Sequence, residues 1–217
     1  MTTSDLFGEP EQNEEQVAIA PGAFLLRGFA RKQDGELLEA FDAVVAQAPL
    51  RHLVTPGGYT MSVAMTNCGP LGWVSDRSGY RYQATDPVSG QHWPAMPRLW
   101  RDLAVQAAEA AGYPAFEPDA CLINSYAPGA KLSLHQDRDE KNMRAPIVSV
   151  SLGLPATFQF GTERRADRPQ RFRLLHADVV VWGGASRLAY HGIAQLPDGE
   201  HALTGRRRIN LTFRQAA

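Results

Sequence analysis

The chain has 217 residues, of which 44% are hydrophobic and 21% charged, and its net charge is −1. That length and balance are typical of one globular domain with a full core. No apolar run approaches the roughly 20 residues that span a bilayer, and the acidic start MTTSDLFGEPEQNEEQ lacks the apolar segment of a signal peptide. We therefore expect a cytoplasmic protein without membrane segments. Residues 1–20 are predicted to be a flexible tail, and residues 21–217 a single domain.

Cysteine usage and the distribution of charge narrow the possibilities further. Cys68 and Cys121 match no metal or redox spacing, so we expect free thiols in a reducing compartment. Acidic residues concentrate in the first 50 positions. Arginines concentrate in the C-terminal part, at Arg164, Arg165, Arg168, Arg171, Arg173, Arg206, Arg207 and Arg208. Local basic patches can hold a phosphate backbone even when the total charge is near zero, but arginines on solvated strand faces explain the same pattern equally well.

The first predicted elements are one strand and two helices. FLLRGF (24–29) predicts the strand. Asp34 begins a helix whose apolar positions recur every 3.6 residues and which Pro49 ends. A second helix is predicted over 97–111 and is closed by Gly112. Both helices are expected to support a sheet and to carry no chemistry.

Between the helices lies a long segment, 55–97, in which glycine, proline, serine and aromatic residues alternate around one clear strand, MSVAMT (61–66). Long irregular segments that carry aromatic residues are typical of binding loops or lids. Trp73, Tyr80 and Tyr82 are candidate platforms on which bases could stack. The alternative is a small satellite core beneath a long loop.

From residue 120 the pattern changes to short strands separated by turns. The predicted strands are CLINSY, KLSLH, IVSVSLG, TFQFG, RFRLL, DVVVWGG, RLAYH and RRRINLTFR. Many short strands at even spacing predict an all-β barrel or jelly roll over 120–215. Alternation in the third strand places valine and leucine on one face and Ser149 and Ser151 on the other. We find no internal repeat and no linker, which favours one mainly β domain of the α+β kind.

The most informative short spacing is that of His135 and Asp137. In an extended segment, residues two apart point to the same face, so these side chains supply two ligands of a metal site. The histidines that follow are His176, His191 and His201, and His191 ends RLAYH, where a strand could return beside the first two ligands. Two histidines and a carboxylate form the facial triad of non-haem Fe(II) oxygenases. Zinc is the competing metal.

The last predicted strand favours iron. One face carries Arg208, Asn210, Thr212 and Arg214, and the other carries Ile209, Leu211 and Phe213. A polar inner face that contains two arginines is costly unless a buried anion compensates the charge, and arginine suits bidentate recognition of carboxylates. A dicarboxylate beside iron fits 2-oxoglutarate. The alternative is an edge strand with arginines facing solvent.

Several strings together resemble one family. HQDRDE, SVSLGLPATFQFG, DVVVWGGASRLAYHGI and RRINLTFRQA closely resemble the AlkB family of nucleic-acid dealkylating dioxygenases, and TPGGYTMSVAMTNCG, LGW and PDACLINSYAPGAKLSLHQD extend the match over about residues 20–215. The resemblance implies a double-stranded β-helix, or jelly roll, with N-terminal helices as buttresses. It also implies that residues 55–97 form a nucleotide-recognition lid.

The resemblance assigns roles to individual residues. It implies iron ligands at His135, Asp137 and His191, which also form the catalytic centre. It implies 2-oxoglutarate contacts at Asn124, Ser125, Tyr126, Arg208, Ile209, Asn210, Leu211, Thr212, Phe213 and Arg214, with both arginines on the far carboxylate. It implies substrate contacts at Trp73, Tyr80, Arg81, Tyr82, Asp139 and Arg165. This chain departs from the family at Ser125, where arginine is common, and at Ala177, where glycine is common.

The activity implied is oxidative demethylation in DNA repair. With Fe(II) as cofactor, the enzyme would consume O2 and 2-oxoglutarate to demethylate bases such as 1-methyladenine and 3-methylcytosine. The products would be formaldehyde, succinate and CO2. The expected partner is alkylated single-stranded DNA, with double-stranded DNA and RNA as further substrates, bound by a monomer that contacts no membrane. Two alternatives remain open. In the first, the protein performs the same chemistry on RNA or on protein. In the second, it is a jelly-roll module that binds a metal and catalyses no reaction.

Overall fold

The computed structural model describes residues 15–217. Residues 1–14 of the predicted tail lie outside this range. The rest of that prediction is corrected, because Gln16–Ala20 forms a strand, β1, that pairs antiparallel with β2 (Ala23–Leu26). Val17 lies opposite Leu25, so the chain enters the sheet earlier than its polar composition indicated.

The N-terminal half contains both long helices and four further strands. Helix α1 spans Asp34–Gln47 and helix α2 spans Arg98–Ala110, which confirms both predicted helices. The strands are β3 (Arg51–Val54), β4 (Thr60–Cys68), β5 (Gly72–Asp76) and β6 (Gly79–Gln83), and a short 3-10 turn lies at Arg31–Gln33. The prediction recognised only β4 in the segment 55–97. The hairpin β5–β6 was missed because glycine and polar residues hide its alternation.

The C-terminal half contains eight strands. They are β7 (Ala120–Tyr126), β8 (Leu132–His135), β9 (Ile147–Gly153), β10 (Ala156–Phe160), β11 (Gln170–Leu174), β12 (Val179–Trp182), β13 (His191–Ile193) and β14 (Arg208–Arg214). One predicted strand is wrong. RLAYH follows a 3-10 turn at Gly184–Ser186 and is irregular, so His191 begins β13 rather than ending a strand.

Twelve of the strands form two facing sheets of a jelly roll, which confirms the predicted fold class, and β5 and β6 form a separate two-stranded sheet. The large sheet has the order β1-β2-β12-β9-β14-β7-β4-β3, and the small sheet has the order β11-β10-β13-β8. The helices cover the outer face of the large sheet, where Trp100 of α2 meets Phe213 of β14 edge to face at 6.5 Å between ring centroids. The inner faces of the two sheets enclose a second apolar cluster and the cavity described below.

Strand β14 is buried on both faces, and its two faces carry different kinds of side chain. Ile209, Leu211 and Phe213 pack into the core beneath the helices. Because side chains alternate along a strand, the polar residues of β14 must point between the sheets. The predicted division of this strand into two faces is therefore confirmed. The alternative, an edge strand with arginines in solvent, is wrong because β14 lies between β9 and β7.

Ala177 explains one departure from the family pattern. Its φ is 68° and it is fully buried. A Cβ in this left-handed conformation costs about 1–2 kcal/mol. Glycine removes that strain but loses about 0.5–1 kcal/mol to chain entropy and about 0.8 kcal/mol from one buried methyl group. The opposing terms nearly cancel, so either residue is tolerated.

We therefore expect Ala177→Gly to change the free energy of unfolding by less than about 1 kcal/mol. Ala177→Val should lower it by more than about 2 kcal/mol, since a branched side chain adds both backbone strain and overpacking. Urea denaturation of the parent and both variants measures this. A valine variant as stable as the parent would contradict the argument.

Within the part of the chain that the structure describes, no helix is long and apolar enough to cross a membrane. Cys68 and Cys121 are free and buried, as predicted, although they face each other across the β4–β7 pair. The expectation of a reducing, cytoplasmic compartment stays a prediction.

Candidate active site

A cavity of about 660 Å³ opens between the two sheets. Its wall includes the polar residues of β14, the inner residues of β7 and the first four residues, 136–139, of the segment between β8 and β9. The volume lies in the range of small-molecule sites. It has room for more than one bound group.

Three predicted ligands meet at this cavity. Ligand atoms of His135, Asp137 and His191 all lie within 4.8 Å of one another. The Asp137 carboxylate is 3.6 Å from Nε2 of His135 and 3.8 Å from Nε2 of His191. This cluster of metal-binding side chains confirms that the three residues converge, as the spacing argument expected.

Local backbone geometry explains the convergence. His135 ends β8 and His191 begins β13, and the two residues lie opposite each other in the antiparallel pair. Gly192 permits this pairing, because a Cβ there would lie 2.6 Å from the carbonyl oxygen of Leu132. Asp137 follows β8 in a segment without regular structure, so the two-residue spacing operates partly outside a strand.

Hydrogen bonds orient both histidine rings. Nδ1 of His135 lies 2.9 Å from the Ser133 carbonyl, and Nδ1 of His191 lies 3.0 Å from the Ala189 carbonyl. A proton on each Nδ1 leaves Nε2 free as a ligand, which is the usual arrangement of metal-binding histidines. The other two candidates are elsewhere. Nε2 of His176 is 2.9 Å from Asp34, and the His176 ring stacks on that of His201.

The charge states suit a cation. Burial and the neighbouring His135 lower the pKa of His191 to about 4, so its imidazole is neutral at neutral pH. Burial alone would raise the pKa of Asp137, but the charge of Arg214 and its hydrogen bond to the carboxylate hold that pKa well below its usual range. Two imidazole side chains and one carboxylate are the donor set expected for Fe(II). The residues therefore fit the metal.

Arg214 differs from its expected role. Its Nη2 and Nε donate to Asp137 Oδ2 at 2.7 and 3.0 Å, and its Nε lies 3.3 Å from Glu140. The guanidinium is thus already neutralised by two carboxylates of the protein. The family resemblance implied that both arginines bind the far carboxylate of 2-oxoglutarate, and Arg214 has little capacity left for that task.

Arg208 has the unused capacity that Arg214 lacks. It is 1% exposed and donates through Nη2 to Ser151 at 2.9 Å, whereas Nε and Nη1 are buried without a hydrogen-bond partner. The Tyr126 ring lies 5.0 Å from the guanidinium carbon. A buried cation with free donors is costly on its own and favours an anionic ligand.

Polar neighbours extend this anion site. Asn124 carries a buried side-chain oxygen without a partner, and its amide nitrogen lies 3.3 Å from Asn210. Asn210 donates to Ser149 at 2.8 Å. The two serines, Ser149 and Ser151, were missed as functional residues, although the alternation in β9 already placed both on the polar face.

Strand alternation corrects four of the predicted cosubstrate contacts. Asn124, Tyr126, Arg208, Asn210, Thr212 and Arg214 line the cavity. The side chains of Ile209, Leu211 and Phe213 lie in the opposite core, and Ser125, between Asn124 and Tyr126, is absent from the cavity wall. Ser125, which stands where arginine is common in the family, therefore has a side chain that points away from the cavity.

The predicted substrate residues divide in a similar way. Trp73, Tyr80, Asp139 and Arg165 line the cavity. Trp73 and Tyr80 stack with ring centroids 5.4 Å apart, and Nε1 of Trp73 donates to Asp139 at 2.9 Å.

Arg81 and Tyr82 make other contacts than those expected. Arg81 pairs with Asp76 at 2.9 Å, and the Tyr82 hydroxyl donates to Glu140 at 2.6 Å. The alternative offered for the segment 55–97 is present, since Val74 and Trp93 form a small satellite core with Ala48. The nucleotide-recognition lid stays a prediction.

The C-terminal arginines are divided between surface and interior. Arg165 lies at the cavity, with its guanidinium carbon 5.8 Å from the Tyr190 ring centroid. Arg164, Arg168, Arg171 and Arg173 are exposed, whereas Arg208 is buried. The exposed group is positive surface on and beside β11, and the buried one belongs to the anion site.

Comparison with known proteins agrees with this geometry. Residues 22–214 match the model of the 2OG-Fe(II) oxygenase superfamily. The chain is 60% identical, over 98% of both chains, to the alpha-ketoglutarate-dependent dioxygenase AlkB of Salmonella typhimurium. It is 30% identical to the tRNA demethylase abh1 of Schizosaccharomyces pombe, over 67% of this chain and 52% of that protein.

A solved structure is similar over nearly the whole chain. OsALKBH1 superposes with a TM-score of 0.80 at 28% identity, covering 93% of this chain and 100% of that one. Family model, relatives and fold agree with the cluster of His135, Asp137 and His191. The chain therefore belongs to the AlkB family of dioxygenases, which use Fe(II), 2-oxoglutarate and O2.

Proposed function

We propose that this enzyme oxidatively demethylates alkylated bases of the 1-methyladenine and 3-methylcytosine type. Single-stranded DNA is its main substrate, double-stranded DNA and RNA are further substrates, and the enzyme acts as a monomer. The observation that carries the proposal is the position of the three ligand side chains beside an uncompensated buried arginine, Arg208, in one cavity.

In this proposal His135, Asp137 and His191 hold Fe(II), and Arg208 with Asn124 and Tyr126 binds the far carboxylate of 2-oxoglutarate. The bound metal supplies the oxidation of the N-methyl group, with conversion of 2-oxoglutarate and O2 to succinate and CO2 and release of the methyl carbon as formaldehyde. The protein orients the reactants. Leu122, Phe158 and Ile193 make part of the cavity wall apolar, which limits access of water to the metal.

The outer part of the cavity suits a cationic, flat substrate. The Trp73–Tyr80 stack offers an aromatic surface, and the exposed Asp139 carboxylate beside it offers negative charge. Bases methylated at these positions are flat and cationic. Because an enzyme that reacts with a base must first remove it from the helix, single-stranded substrates avoid the cost of unpairing. Arg165 at the same cavity would bind a phosphate.

The deciding experiment is a panel of methylated substrates assayed by formaldehyde release. The parent enzyme with Fe(II) and 2-oxoglutarate is compared on single-stranded DNA, duplex DNA, RNA and a methylated peptide. We expect the highest kcat/KM on single-stranded DNA that carries 1-methyladenine or 3-methylcytosine. Turnover only on the peptide would refute the nucleic-acid proposal, and iron binding without turnover on any substrate would favour the non-catalytic module. Sedimentation of the purified protein tests the monomer.

We expect Trp73→Ala to raise the KM for methylated oligonucleotides by about tenfold to a hundredfold, because loss of one base–aromatic stack costs about 1–3 kcal/mol. Trp73→Phe, which keeps a ring, should lose much less. The KM for 2-oxoglutarate is the internal control and should not change. Equal KM values for the oligonucleotide in the alanine variant and the parent would remove Trp73 from the substrate site.

A further inference from the structure

Arg187 lies outside the cavity wall and received no role from the sequence, yet it contacts the metal-binding segment at three points. It is 4% exposed and follows the 3-10 turn at Gly184–Ser186. Its Nη1 donates to the carbonyl oxygen of Asp137 at 2.7 Å, and its Nε donates to the carbonyl oxygen of Ala145 at 2.9 Å. Its Nη2 donates to the Glu140 carboxylate at 3.0 Å.

These contacts join the two parts of the chain that carry the ligands. Residues 136–146 connect β8 to β9 without regular structure, so their carbonyl groups lack strand partners. Arg187 supplies donors at both ends of that connection and lies four residues before His191. Gln136 makes a parallel link, because its Nε2 donates to the Leu188 carbonyl at 2.6 Å. The backbone at Asp137 is thereby held against the segment that leads to His191.

Arg187 also balances a buried set of four charges. Glu140 accepts from Tyr82 and lies close to Arg214 with one oxygen, and it pairs with Arg187 through the other. Arg214 in turn pairs with Asp137. Two carboxylates and two guanidinium groups thus offset one another in a region of low dielectric. Without Arg187, Glu140 would draw Arg214 away from Asp137, because a buried carboxylate without its partner is strongly unfavourable.

We infer that Arg187 is a positioning residue for the metal site. It fixes the backbone of Asp137 directly and the Asp137 carboxylate indirectly, by leaving Arg214 free to pair with it. The inference rests on the proposed assignment of His135, Asp137 and His191 as metal ligands. Groups that orient metal ligands typically contribute tenfold to a hundredfold in metal affinity.

Lysine at position 187 would separate charge from geometry. A lysine ammonium keeps the positive charge near Glu140, but one small head group cannot reproduce a planar fork that reaches three acceptors. Arg187→Lys should therefore keep the charge balance and lose the hydrogen bonds to the backbone carbonyl groups of Asp137 and Ala145. Arg187→Met removes both while it keeps most of the side-chain volume.

The test is Co2+ binding to the full-length, metal-free protein, followed by calorimetry and by the visible absorption of the bound ion. We expect one site in the parent, about tenfold weaker binding in Arg187→Lys, and up to about a hundredfold weaker binding in Arg187→Met. The absorption spectrum at saturation should also change, since the geometry of Asp137 differs. All titrations are made well below the melting temperature of each variant.

Arg27→Met is the matched control. Arg27 also joins a buried carboxylate, Asp178 at 2.6 Å, to a backbone carbonyl, that of Arg173 at 2.7 Å, but it lies away from the cavity. Its loss should lower the melting temperature and leave the Co2+ affinity and spectrum unchanged. An equal loss of affinity in Arg27→Met would overturn the inference, because the effect would then be general destabilisation.

The remaining outcomes are also decisive. Affinities of both Arg187 variants within twofold of the parent would overturn the positioning role, and if Arg187→Met does not fold, Arg187→Lys carries the test. His135→Ala is titrated in parallel. If that variant loses the site while the Arg187 variants keep it, the ligand assignment stands and only this inference fails. If His135→Ala keeps the site, the ligand assignment fails and this inference with it.

Discussion

Replacement of His135 by alanine is expected to abolish turnover by removing the metal. His135 supplies one of three protein ligands, and its side chain is 36% exposed at the end of β8. Loss of a group that only orients a ligand already costs tenfold to a hundredfold in metal affinity. Loss of the ligand itself should therefore cost more than about a hundredfold. Because the side chain is partly exposed, the fold should survive.

Metal content and formaldehyde release measure this result together. His92→Ala is the control, since His92 is an exposed histidine that does not line the cavity. It should bind one metal ion and turn over like the parent. A His135→Ala variant that retained both metal and turnover would show that another residue completes the site.

Replacement of Arg208 by methionine is expected to raise the KM for 2-oxoglutarate by about a hundredfold, or about 2.7 kcal/mol. Loss of one partner from a buried, hydrogen-bonded charge pair costs about 2–5 kcal/mol. Arg208 is the buried cation of the cavity with unpaired donors, Nε and Nη1. Metal affinity should change little, because no contact joins Arg208 to the ligand cluster.

The stability of this variant provides a second, opposite readout. In the ligand-free protein, Arg208 is buried without an opposing carboxylate, and such a charge destabilises the fold. Arg208→Met should therefore melt at the same temperature as the ligand-free parent or higher, while it binds the cosubstrate worse. Arg207→Met is the control on the neighbouring position and should leave the KM unchanged. A normal KM in Arg208→Met would remove Arg208 from the cosubstrate site.

Arg214 is expected to behave differently from Arg208, contrary to the symmetry of the sequence. Both arginines point to the same face of β14, and the family resemblance implied the same carboxylate for both. In the structure Arg214 is bound to Asp137 and Glu140. Its loss would disturb a metal ligand as well as the cosubstrate, so it cannot isolate 2-oxoglutarate binding.

The polar and apolar faces of β14 could be predicted from the sequence, because alternation of side chains along a strand is a local property. The pattern of residues 208–214 was enough to place Arg208 and Asn210 on one side and Leu211 and Phe213 on the other, and the structure agrees. The same rule would have excluded Ser125 as a side-chain contact, because it separates Asn124 from Tyr126. The family resemblance, which is carried by contiguous strings, obscured this.

Two other features, the hairpin β5–β6 and the strand β1, could not be predicted from the local sequence. The hairpin β5–β6 carries Trp73 and Tyr80, but its strands are only five residues long and each begins with a glycine. The strand β1 follows a polar segment and was included in the tail. In both places, pairing with a neighbouring strand decides the conformation, and composition predicts it poorly.

The segment around His135 and Asp137 shows how much of the site the sequence predicts and how much depends on the fold. The sequence by itself determined the type of site, since a histidine and a carboxylate two residues apart, a later histidine and an arginine-bearing strand specify a metal beside a dicarboxylate. Only the tertiary structure decided which arginine is free and which is occupied. Asp137 is 77 positions from Arg214, and Arg187 is 50 positions from Asp137. Those pairings depend on how two sheets face each other, and a buried charge takes its role from the neighbours that the fold brings to it.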